Sequence, residues 1–484
     1  MKNILLSFLF ILGCVNNNKE INIVIDAPPS TLEPHSVREI PVLTILSNIY
    51  ETLLGFDNNM KMTNLLAEYW EKKDSITWEF TLRKNVYFHN GKELTPEDVI
   101  YSLKRPFTIP NSEIKIYQDV IDTIYKENDR KVIIKTKKPY PLILFDISMV
   151  FIIPENYNPS KEPPCGTGPY RFEKMDEKEL LLSFFNKYWG EKPDILRARF
   201  VFLRDKEKKL NLLKEGKADI VSYISFSSVD EFANYGNIIT TTGLGARYLE
   251  FNLKKYPFNL KEFRYALNIG IDREKLCKEA YRGFATPANQ YFPPGVFGFD
   301  ISLPAIKYNP EEAKKIISRI KNIPEIVFDY SYARALIAEL IAEDLKKIGL
   351  KIRKNPLQSS EFWNKIEKKE SYFYIIARIP TNYDGISIIS NSFYTFIPEK
   401  GKGMQNNINY SNKIVDSIID EISKIEDEEI VEEKLHYIQN LLLEDIPKIP
   451  VVWEKDIFVT SRRIIWTPRL DKLLILKEIK LKRL

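Results

Sequence analysis

Apolar and polar residues alternate with a period of two in "INIVIDA" (21–27), which predicts a half-buried strand. In "ITWEFTLRKNVYFHNG" (76–91) two β-rich runs, Ile76 to Leu82 and Val86 to Phe88, lead into the turn pair Asn90-Gly91. The period then changes. "LTPEDVIYSLKR" offers Thr95 as a cap, Pro96 at the first helical position, acids in the first turn and basics in the last. The same plan returns in "YNPEEAKKIISRI", with Asn309 ahead of Pro310, and in "IDREKLCKEAYRG", capped by Asp272 and stopped by Gly283. In "RALIAELIAEDLKKIG" Leu336, Ile337, Leu340, Ile341, Leu345 and Ile348 fall on one helical face, and Gly349 ends it. "VEEKLHYIQNLLLEDIPKIP" is another amphipathic helix, ended by Pro447. Strand-like and helix-like segments alternate without repeat or low-complexity linker. A mixed α/β chain of more than one unit is expected from its 484 residues.

The N-terminus follows another pattern. Ile4 to Leu12 are apolar except for Ser7, behind a single Lys2. A membrane-spanning helix needs roughly 20 apolar residues, so this run has the shape of a secretory signal. Ile11-Leu12-Gly13-Cys14 resembles the bacterial lipobox, which implies cleavage after residue 13 and a diacylglyceryl group on Cys14. Two or more acyl chains anchor stably where one is marginal. Val15 to Lys19 then read as a polar tether. The remaining cysteines, Cys165 and Cys277, are expected to be free and buried. No second apolar run reaches spanning length, so the body is expected to work in water.

Composition excludes more than it selects. Hydrophobic content of 44% with 28% charged residues is globular. The net charge of +5 is spread along the chain without a basic block, so no nucleic acid partner is implied. The 3 histidines, His35, His89 and His436, form no metal-binding spacing, and no nucleophile elbow occurs. "GLGARY" (243–248) places Tyr248 where a dinucleotide fingerprint needs its third glycine. Neither a catalytic set, a metal site nor a cofactor is expected.

Four stretches, in this order, together resemble family 5 of the bacterial extracellular solute-binding proteins, the peptide/nickel-binding class that feeds ABC importers. They are "DAPPSTLEPHSVREIPVLTILSNIYETLLGFD" (26–57), "LAEYWEKKDSITWEFTLRKNVYFHNGKELTPEDVIYSLKR" (66–105), "GTGPYRF" (166–172) with "NKYWGEKPDI" and "LLKEGKADI", and "FNLKKYPFNLKEFRYALNIGIDREKL" (251–276) running into "GFATPANQYFPPGVFGFD". The resemblance covers residues 21 to 466. It implies a two-lobed periplasmic-binding-protein-like α/β fold (type II, cluster C) with an extra subdomain in the first lobe. The implied division is 1–13 signal, 14–20 tether, 21–251 first lobe with the subdomain at about 50–180, 252–453 second lobe, and 454–484 returning to the first. It also implies a lipid-anchored, exported monomer that hands a peptide or peptide-like solute to a permease and its ATPase.

In peptide-binding members two extended segments flank the ligand backbone. The matching positions are Arg38, Glu39 and Ile40 in the first lobe and Ala377, Arg378 and Ile379 in the second. Such members often carry Gly-Trp-x-x-Asp-Tyr in the second segment, whose aspartate pairs with the peptide ammonium. Here the stretch is "ARIPTNYDG", with Arg378 at the tryptophan position and Thr381 at the aspartate position. Asp384 is either a substitute carboxylate or a turn residue before Gly385. Arg378 would favour an anion, and Thr381 cannot balance a buried ammonium, so a ligand without a free amine is expected. The other readings are a metal chelate or oligosaccharide as cargo, a sensing or adhesion lipoprotein, and an enzyme; the last lacks any visible catalytic set.

Overall fold

A computed structural model describes residues 19–482 except 111, 379–383, 423 and 426, so Cys14 lies outside the described residues. The first strand, Glu20–Ile25, lies in parallel between Arg197–Phe202 and Ile220–Val221. Both of its faces are covered, which is why Ile21, Ile23, Val24 and Ile25 are all buried. A second parallel set pairs Ile326–Ser331 with Ile352–Leu357 and, at Asp329 and Tyr374, with Phe373–Arg378. Two long antiparallel strands, Asn237–Phe251 and Ile449–Thr460, run through both sets and join them into one sheet. Their ladder breaks between the pairs Thr242–Lys455 and Ala246–Trp453. Gly243 sits in that break, where a Cβ would overlap the Asp456 carboxylate.

The apolar residues segregate into cores on either side of this crossing. One holds Ile23, Phe80, Tyr170 and, from the returning chain, Leu474 and Leu476. A second, with Val24, Val221, Phe232 and Val459, also belongs to the first parallel set. Two more cover the two faces of the second set: Leu249, Phe328, Ile341 and Phe373 on one, Tyr248, Phe292, Tyr374 and Leu435 on the other. Each such side chain, buried, stabilises by about 1.5–3 kcal/mol. The result is a two-lobed α/β chain. A separate four-stranded antiparallel sheet, Ala67–Asp74, Thr77–Leu82, Lys131–Thr136 and Ile121–Asn128, packs Phe80 and Ile134 into the first core.

Most of the patterned segments fold as their periods require. Asp98 accepts from the Thr95 backbone N–H (2.9 Å) and hydroxyl (2.8 Å) ahead of helix Pro96–Lys104. Asn309 accepts from Glu312 N–H ahead of Pro310–Ile317. Three segments differ. Val86 to Phe88 form only an isolated bridge, Tyr87 to Glu93, because the chain reverses within a few residues at Gly91 (φ +89°). The segment after Asp272 makes one α-turn, Arg273–Lys275, and widens into a π-helix over Leu276–Ala280. Leu336 is 53% exposed on helix Ala335–Lys347, because it lies at the margin of the apolar stripe that buries Ile337, Leu340, Ile341 and Leu345. Cys165 and Cys277 are free and buried.

Candidate functional site

Strands Ile326–Ser331 and Phe373–Arg378 point the same way, so the segments that follow them emerge at one edge of the second-lobe sheet. Ligands of open α/β sheets bind at such carboxyl edges. That edge meets the first lobe. Phe145 of the first lobe touches Phe297 of the second with ring centroids 5.9 Å apart, and Leu142 and Leu470 pack onto the same core. On the opposite face of the sheet Phe226 meets Tyr281 at 5.4 Å.

Of the sequence-selected residues, Arg38, Glu39, Ile40, Ala377, Arg378 and Asp384 are among those described, with different neighbours. Arg38 and Glu39 are the last residues before helix Ile40–Ile49. Glu39 is extended and accepts from the Ser30 hydroxyl, while Ile40 already belongs to the helix, so of the three expected first-lobe residues only Arg38 and Glu39 precede it. The Arg38 N–H donates to Glu113, and its Nε is buried without a partner. Beneath Arg38 lies a cavity of about 330 Å³ whose wall includes Glu51, Arg469, Lys477 and Glu478. Its charges are largely matched from within: Arg469 bonds Asp471 and Glu478, and Glu51 accepts from Thr167, Tyr188 and Trp189.

In the second lobe, Ala377 and Arg378 pair with Arg247 and Ala246. No strand is registered against their far edge among the described residues, since the ladder with Ile326–Ser331 stops at Tyr374. The Arg378 guanidinium does not stand free for an anion. It donates to Glu250 (3.2 and 3.4 Å), which also accepts from Tyr374 and faces Lys448 at 3.7 Å. Burial alone would raise the Glu250 carboxyl, yet Arg378 and Lys448 hold it below the usual carboxylate range. Ile379 and Thr381 lie outside the described residues.

Asp384 proves to be a helix cap rather than a bare turn residue. It is 1% exposed, and its Oδ1 accepts from Ser387 N–H (2.6 Å) at the start of helix Gly385–Ser392. Its Oδ2 is buried without a hydrogen bond. Burial, opposed by hydrogen bonds from the Ser387 amide and side chain and from the Ile386 amide, pushes its pKa up to about 6.

Two charged groups escaped the sequence reading. Asp146, on the short helix Ile143–Ile147, is 1% exposed and accepts only from the Tyr140 hydroxyl (2.8 Å) among the described residues. Its signal was a lone acid inside the apolar run "LILFDISMVFII". Arg334 follows strand Ile326–Ser331 and has no ion pair among the described residues. Burial and the like charge of Arg247 press it below its ordinary value, while Glu454, bonded by Arg247 at 2.8 and 2.9 Å, opposes them. Asp146 thus stands next to the Phe145 contact without a cation, and Arg334 beside the Arg247–Glu454 pair without a salt bridge of its own, among the described residues.

The profile of the bacterial extracellular solute-binding proteins, family 5 Middle, matches residues 61–397. The chain belongs to family 5 of the bacterial extracellular solute-binding proteins. As a family 5 protein it is the substrate-binding component of an ABC importer, and not an enzyme. It is 24% identical over 477 residues to the glutathione-binding protein GsiB of Salmonella paratyphi A, covering 92% of this chain and 91% of that one. Its fold, the two-lobed periplasmic-binding-protein type, superposes on the ABC transporter substrate-binding protein CtaP of Listeria monocytogenes with a TM-score of 0.86 at 22% identity, over 96% of this chain and 99% of that one. The periplasmic binding protein DppA of Helicobacter pylori in complex with the peptide STSA gives 0.74 at 19%, over 96% and 98%. Among the described residues of this family 5 protein no helix is long and apolar enough to cross a membrane.

Proposed function

We propose that this family 5 protein captures a short peptide with a free amine between its lobes and passes it to an ABC permease. The observation that carries the reading is the Asp384 Oδ2, a buried carboxylate oxygen with no partner at the edge where the second-lobe strands end. A peptide ammonium supplies the missing donor and charge. This replaces the expectation of an amine-free ligand, which rested on Thr381 and on a free Arg378. Arg334 supplies a positive end for a carboxylate, and the unpaired edge at Ala377 and Arg378 suits a ligand backbone added as a strand. The named ligands of two similar proteins, glutathione and a tetrapeptide, are of this chemical class.

The same reading takes the chain as a lipid-anchored monomer held through Cys14 beside its permease, where tethering raises its effective concentration. It takes 21–251 with 454–484 as one lobe and 252–453 as the other, with the hinge at the ladder break around Gly243. The deciding experiment is calorimetry with trialanine against N-acetyl-trialanine, repeated on Asp384→Asn. Binding is expected only for the free amine, and is expected to collapse in the variant. Equal binding of both peptides would remove the amine from the reading.

A further inference from the structure

We propose that Asp146 of the first lobe and Asp384 of the second form one cation site, so that a single positive charge is held between carboxylates of opposite lobes. The inference rests on the amine reading above and adds the residue that makes the site span the boundary.

The placement follows from two contacts. Asp146 is the neighbour in sequence of Phe145, and Asp384 is paired by a β-bridge with Phe297, whose carbonyl accepts from Gly385 N–H (2.9 Å). Phe145 and Phe297 touch each other across the boundary. The two carboxyl groups are therefore carried to the same place when the lobes meet, and each is 1% exposed there. The charged and titratable groups facing them are Arg38, Tyr140 and Tyr117 from the first lobe, and the second lobe adds the Ser387 amide. No cation makes an ion pair with either carboxylate among the described residues. Two carboxylates against one arginine leave one negative charge, which selects a monocation over a neutral or anionic group.

Two acids in one dry site cannot both ionise without cost. Burial, reinforced by Asp384 and opposed by Tyr140 and Arg38, lifts the Asp146 carboxyl to about 8, and that of Asp384 stands at about 6. Free in water both would lie near 4. A proton or a cation is thus the condition for closing. Without ligand, closure is unhindered below about pH 4 and grows costlier as pH rises toward the closed-state values. With an ammonium between the carboxylates, closure needs no proton. Closure at neutral pH is then tied to cargo, which keeps an unloaded protein from presenting a closed form to the permease.

The test uses the full chain in two arms. Small-angle X-ray scattering of ligand-free protein is expected to give a larger radius at about pH 9 than at about pH 5; Asp146→Asn and Asp384→Asn should each reduce the difference, and the double variant should abolish it. Adding trialanine at about pH 7, where its amine is still protonated, should shift the unmodified protein toward the compact form. In calorimetry Asp146→Asn, which keeps the Tyr140 hydrogen bond, is expected to weaken trialanine about thirtyfold or more. A radius indifferent to pH, or trialanine binding untouched in Asp146→Asn, would overturn the proposal. Failure of trialanine to bind the unmodified protein would count against the peptide reading instead, and the ligand-free scattering would still decide the role of Asp146.

Discussion

Phe145 and Phe297 meet ring to ring across the lobe boundary, with centroids 5.9 Å apart and planes inclined by 42°. Phe145 in turn touches Phe56, so the contact is continuous with the first lobe. Each lobe keeps its own apolar core, and this pair contributes to closure rather than to folding.

Phe145→Ala should therefore leave the unfolding temperature nearly unchanged while trialanine dissociates faster. An aromatic pair is worth about 0.5–1.5 kcal/mol beyond its buried area, so a loss of up to about tenfold in affinity is expected. Stopped-flow dissociation would show it; an unchanged rate would mean that closure does not use this contact.

Glu250 holds two cations, Arg378 and Lys448, and Lys448 also lies over the rings of Tyr248 and Phe393. Glu250→Ala strands both charges in the second-lobe core and should destabilise by about 3–5 kcal/mol in urea unfolding. Adding Lys448→Met should recover part of the loss, because it removes one uncompensated charge. Equal stability of the single and double variants would refute the shared role.

His35 and His89 each use one ring nitrogen toward a carbonyl, of Phe151 (2.7 Å) and Gly168 (2.9 Å), and the other as an acceptor, from Arg105 and the Gly166 N–H. Burial lowers both to about 4. The unfolded chain binds these protons near 6.5, so stability is lost as pH falls from about 6.5 toward 4, by a few kcal/mol for each ring. Chemical denaturation across that range should show the loss, and His89→Gln should flatten it. An identical slope in the variant would rule out His89 as a source.

Cys165 and Cys277 should react with a thiol reagent only after denaturation, giving two thiols without any reductant. Finding none would mean a disulfide. Cys14→Ser is expected to move the protein from the membrane fraction to the soluble one with unchanged unfolding, since the tether adds nothing to either core. Retention at high salt would exclude lipidation as the anchor.

Local rules made much of the framework legible. Asn309 ahead of Pro310, the Thr95–Asp98 pair and the apolar stripe of Ala335–Lys347 are settled within one or two helical turns, so sequence alone determines them. The strand at Glu20–Ile25 is likewise marked by its own period, while its burial on both faces is decided by the neighbours it meets in the folded sheet. Asp384 was visible as a candidate, but its two readings differ only in what surrounds the carboxylate, and a helix start at Gly385 and a second lobe decide that. The same holds for Arg378: its charge is in the sequence, while Glu250 reaches it from another strand 128 positions away. Asp146 and Asp384 are 238 residues apart (384 minus 146), and nothing local to either announces the other. Only the packing of Phe145 on Phe297 brings them to one place, because a charge acquires its role from the charges and the water around it, and in a two-lobed chain those are set when the lobes meet.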